Sequence, residues 1–103
     1  MINVIIYLKK QHNAKDLVKH LLMQKLVASA SIDENNVSYK YVDGKLVEEI
    51  FNVITAQSKA LLFNVVVETI EKMLGEGVAI NSTPIVGTSI IFNDSVTTKT
   101  IPI

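Results

Sequence analysis

The chain has 103 residues, 49% of them hydrophobic and only 19% charged, with ten lysines balancing ten acids. That length suits one domain, residues 1–103, and that apolar content excludes disorder. The absence of cysteine excludes disulfides, thiolate metal sites and a cysteine nucleophile, and the absence of arginine and of net positive charge argues against a nucleic-acid partner.

Residues 2–8 are β-branched and aromatic and predict a buried strand. No basic region precedes this run and no small-residue cleavage site follows it. It is too short to span a bilayer, so no membrane partner and a cytoplasmic location are expected. Asn13 is placed to cap a helix, with Asp16 three residues on. Ala14, Leu17, Val18, Leu21, Leu22 and Leu26 then keep the spacing of one helical face.

Residues 27–33 drop that period and become extended. Asp33-Glu34-Asn35-Asn36 reads as a turn between strand halves, since its spacing is not that of a calcium loop. Next, Val37–Val42 and Lys45–Ala56 flank Asp43-Gly44, the preferred pair for a two-residue hairpin turn. Such a turn sets Val42 opposite Lys45, Tyr41 opposite Leu46, Tyr39 opposite Glu48 and Val37 opposite Ile50. The second strand would span roughly 40 Å at about 3.3 Å per residue. A globule of this size has a radius of gyration near 13 Å. The strand either bends at a bulge or projects as an arm that pairs with another copy, and its apolar residues on both faces favour the arm.

Ser58 is a candidate cap for a second helix over 59–74, ended by Gly75. Ile85–Phe92 predicts a buried strand, Asn93-Asp94-Ser95 a turn, and residues 96–103 an extra edge strand stopping at Pro102. The order β-α-β-β-α-β predicts an α+β, ferredoxin-like sandwich. Its antiparallel sheet carries two helices on one face and a long hairpin. The uncovered face must meet solvent or a partner.

Leu22-Met-Gln-Lys-Leu26-Val-Ala-Ser-Ala-Ser-Ile32 resembles the helix-to-strand junction of the CutA divalent-cation-tolerance family. Ser38, Tyr41 and Asp43-Gly44-Lys45-Leu46 resemble its hairpin. Thr83-Pro84-Ile85-Val86 resembles the entry to its last core strand. The resemblance covers roughly residues 2–92. It implies a PII-like homotrimer whose hairpins pair between subunits. Against the family pattern, Ser29 replaces a cysteine, Gln57 a lysine, Val42 a tryptophan and Ile85 an acid. Ala79-Ile80-Asn81 replaces His-Pro-Tyr, and residues 95–103 replace a closing helix. Most of the implied metal and pocket residues are therefore missing.

The chemistry-bearing residues are few. His12 and His20, with Asp16 midway, are weak metal candidates. At eight residues apart the imidazoles cannot share an ion on one helix, so no metal site and no resident cofactor are expected, a divalent cation being the one candidate. Asn81, Ser82 and Thr83, with Gln57 and Tyr39, form the one candidate ligand pocket. It is neutral and lacks a nucleophile–base pair, so no enzyme is expected. The expected function is a non-catalytic, CutA-like homotrimer linked to divalent-cation tolerance. The alternative is a PII-like sensor binding a small molecule in a cleft between subunits.

Overall fold

The computed structural model describes all residues from Met1 to Ile103. The strands are β1 (Ile2–Lys9), β2 (Ser29–Val42), β3 (Lys45–Ser58) and β4 (Ala79–Pro84). The helices are α1 (Ala14–Met23), α2 (Phe63–Leu74) and α3 (Ile90–Lys99). The strands form one antiparallel sheet in the order β2-β3-β1-β4, the ferredoxin-like arrangement.

Alternation along β1 explains the layering. Ile2, Val4, Ile6 and Leu8 are buried, while Asn3, Ile5 and Tyr7 between them are half-buried. The buried set meets Ala14, Leu17 and Leu21 of α1 and Val66 and Ile70 of α2. Period-2 and period-3.6 stripes thus close on one another. At the centre, Ile32, Ile54, Ile6 and Ile80 are cross-strand partners in one row across all four strands.

Asn13 caps α1 as its sequence position predicts: its side chain accepts from the Asp16 N–H at 3.1 Å. Asn13→Ala is expected to cost about 1 kcal/mol, read as a lower urea midpoint with an unchanged slope. A loss too small to resolve would show that water satisfies that N–H equally well.

The hairpin follows its predicted register pair by pair from Val42↔Lys45 to Val37↔Ile50. Asp43 (φ 52°) and Gly44 (φ 77°) both take the left-handed conformation that this turn requires. The segment 33–36 does not divide the strand. It is a bulge within a continuous β2, with Asn35 at φ 58° and one extra residue between Asp33↔Val53 and Asn36↔Phe51. The strand is therefore bulged and still projects. The arm makes the molecule long, 46 × 29 × 21 Å, with a radius of gyration of 14.6 Å. Its surface of 6648 Å² exceeds the roughly 5,800 Å² expected for this mass.

The arm is more one-sided than apolar residues on both faces would suggest. Val37, Tyr39, Tyr41, Leu46 and Ile50 share the face on which the helices lie, but sit beyond them and are exposed. The opposite face has Ser38, an ion pair between Lys40 and Glu49, and the half-buried Val47 and Phe51.

Expectations about the second half are corrected at several points. Ser58 does not cap a helix. It is the last residue of β3, fully buried, and its hydroxyl donates to the Leu26 carbonyl at 2.6 Å. Pairing with Ile2 turns its side chain toward the helix layer. A 3-10 turn, Ala60–Leu62, then leads into α2 without a side-chain cap. Residues 85–92 are not a strand. The last strand is Ala79–Pro84, so Thr83-Pro84 closes it instead of opening it. Proline has no N–H to extend the ladder; the Ile85 N–H bonds to the Met1 carbonyl at 3.0 Å. Residues 93–95 do not turn, and 96–103 add no strand. Residues 93–95 lie within α3 and 96–99 are its last turn; its start is set by Ser89, whose hydroxyl accepts from the Phe92 N–H at 3.2 Å. A closing helix is thus present.

The end of α3 is tied down. Val96 and Thr100 are buried, the Ile101 N–H bonds to the Lys25 carbonyl, and the Lys59 ammonium donates to the Ile101 carbonyl. Its beginning is bare, with Ile90 and Ile91 81% and 83% exposed.

Candidate functional site

The sheet face that the helices leave uncovered has two chemically distinct ends. At one end, Ser29, Gln57, Asn3 and Thr83 are successive cross-strand partners. The Ser29 hydroxyl donates to the Gln57 carbonyl oxygen, and the Gln57 amide donates to the Asn3 side chain at 2.9 Å. The next row is Ser31, Thr55, Ile5 and Asn81. Seven uncharged polar side chains thus surround one isoleucine. They can bind by hydrogen bonds alone, because no base stands beside either serine.

Only part of the expected pocket is assembled there. Gln57, Asn81 and Thr83 share this face. Ser82 pairs with the buried Val4 and so points to the other side of β4. Tyr39 lies on the arm with the helix-side set; its hydroxyl donates to Glu48 at 3.2 Å. The Glu48 charge and that hydrogen bond raise the Tyr39 phenol above its ordinary pKa.

The other end of the open face holds a cavity of about 420 Å³. Tyr7 and Phe51 pack edge to face on its wall, ring centres 5.9 Å apart and planes at 80°. Lys9 and His12 line it from the end of β1 and the turn beyond, Lys40 and Glu49 from the base of the arm, and Glu76 and Val78 from the α2–β4 connection. A smaller hollow of about 230 Å³ shares the aromatic pair and reaches Ser38 and Tyr39. Sequence reasoning missed this cavity. Its signal was the hairpin register: carried one pair beyond Val37↔Ile50, it brings Phe51 onto the open face.

His12, Asp16 and His20 do not form a metal-binding group; no three His, Asp or Glu side chains gather anywhere in the fold. His12 precedes the helix cap, in a turn closed by its own N–H on the Lys9 carbonyl. The donor set is therefore scattered carboxylates and two separate imidazoles, with no thiolate. It does not fit a soft divalent ion held by several ligands.

No helix is long and apolar enough to cross a membrane. No protein-family model matches the chain, and no curated protein matches it. Solved structures do. CutA1 from Pyrococcus horikoshii aligns with a TM-score of 0.85 at 20% identity, over 98% of this chain and 99% of that one. CutA1 from Oryza sativa gives 0.86 at 18% identity, over 97% and 93%. The periplasmic divalent cation tolerance protein CutA from Archaeoglobus fulgidus gives 0.82 at 23%, over 96% and 98%. Over nearly its whole length, this chain has the fold of the CutA1 proteins.

Proposed function

We propose that the chain is a CutA-like homotrimer without a reaction of its own, joined through its arms and serving divalent-cation tolerance as a scaffold. The arm carries this reading. A projecting hairpin with Tyr41 77% and Leu46 62% exposed has surface that a solitary domain leaves unused. The cation link comes from the names of its structural neighbours. The scattered donors favour a scaffold over a chelator. A cytoplasmic location belongs to the same proposal, although one neighbour is named periplasmic.

Gel filtration with light scattering tests the assembly. Three times the chain mass of 11.4 kDa is expected at micromolar concentration, and a clean monomer overturns it. Zinc or copper titration tests the scaffold role. The expected result is no saturable heat at about 50 μM metal, a concentration that a dedicated multi-ligand site would bind.

The second reading, a PII-like small-molecule sensor with its site between subunits, is favoured by the hydrogen-bonded row Ser29–Gln57–Asn3. A ligand-dependent rise in melting temperature that Gln57→Ala abolishes would select it.

A further inference from the structure

We propose that the cavity between Tyr7 and the α2–β4 connection is a binding site for a free α-amino acid with an apolar side chain. All of its lining residues come from one chain.

Its size, about 420 Å³, lies within the range of small-molecule sites. Its wall is preformed, because Tyr7 and Phe51 already hold each other edge to face. Leu74 and Val78 extend the apolar surface. Four charged residues line it: Lys9, Lys40, Glu49 and Glu76. Lys40 and Glu49 satisfy each other in the one ion pair of the structure. One cation and one anion remain unpaired, Lys9 on β1 and Glu76 on the far connection.

That charge set selects the ligand class. A phosphate or dicarboxylate would meet Lys9 but also two glutamates. A plain amine would meet Glu76 but also two lysines. A zwitterion answers both: its carboxylate on Lys9, with His12 beside it, and its ammonium on Glu76. The apolar side chain then lies against the aromatic pair. Exposed partners keep each pairing modest, so weak, metabolite-level affinity is expected.

The test is calorimetric titration of the intact chain with L-phenylalanine and L-leucine, beside phenylpropionate, which lacks the ammonium, and phenethylamine, which lacks the carboxylate. Saturable binding near about 1 mM is expected for the amino acids, reasonable for a dozen heavy atoms. Each half-ligand should bind about tenfold more weakly. Lys9→Gln should weaken phenylalanine and phenylpropionate and spare phenethylamine. Glu76→Gln should do the reverse with the two half-ligands. Both residues are exposed, so both variants should fold, which circular dichroism checks. The proposal is overturned by no saturable heat from any compound up to about 10 mM, by equal binding of zwitterion and half-ligands, or by indifference to both substitutions. Light scattering of the same samples reads association separately, so loss of the trimer and loss of this site are distinguishable.

Discussion

Ile6→Ala is expected to lower unfolding free energy by about 3–5 kcal/mol. Ile6 is fully buried and stands between Ile54 and Ile80 in the row of four isoleucines. Removing its outer carbons opens a void flanked on both sides by strands. Ladder hydrogen bonds hold those strands about 4.8 Å apart, so the gap cannot close by strand movement. A domain of this size has about 5–15 kcal/mol in hand, so the variant should sit near the edge of stability. Urea unfolding at fixed chain concentration measures it, since association would add to apparent stability. A loss under about 1 kcal/mol would mean that α1 and α2 settle into the space, contrary to a rigid row.

Tyr41→Glu together with Leu46→Lys is expected to separate the copies while keeping the fold. The two residues are direct partners near the tip of the arm, so the introduced charges face each other and support the hairpin. Neither touches the core. If the apolar stripe is buried between copies, two large side chains worth about 1.5–3 kcal/mol each are exchanged for charges that must be desolvated. Light scattering should fall from three chain masses to one, with the circular dichroism spectrum retained. A variant that keeps the parent's mass would place the contact elsewhere, the bare start of α3 being the other large apolar surface.

The sequence made the first half of the fold legible because its signals were local. Asn13, the helical stripe to Leu21 and Asp43-Gly44 each act within a few residues. The second half misled because β-branched residues occur in both strands and helices. Ile85, Val86, Ile90 and Ile91 look like a buried strand, yet Pro84 ends the ladder and Ser89 starts a helix. Ser58 misled because its partner is the Leu26 carbonyl, 32 residues away. The candidate pocket was half legible. Gln57, Asn81 and Thr83 meet because strand parity is simple on β3 and β4. Tyr39 was misplaced because the bulge shifts parity within β2. Before it, Ala30 and Ile32 face the helices; after it, Val37, Tyr39 and Tyr41 do. The cavity needed the α2–β4 connection, whose path no local pattern fixes.

The bulge at Asn35 separates two properties that a regular strand would link. Pairing continues with the same β3 on either side of it, its register displaced by one residue. The extra residue changes twist and bend. The direction in which the arm leaves the body can therefore vary while the body stays the same. In a head-to-tail ring, that direction decides how many copies meet before the circle closes. In such a ring, one extra residue of strand length would bear on the number of copies without altering the body of the subunit.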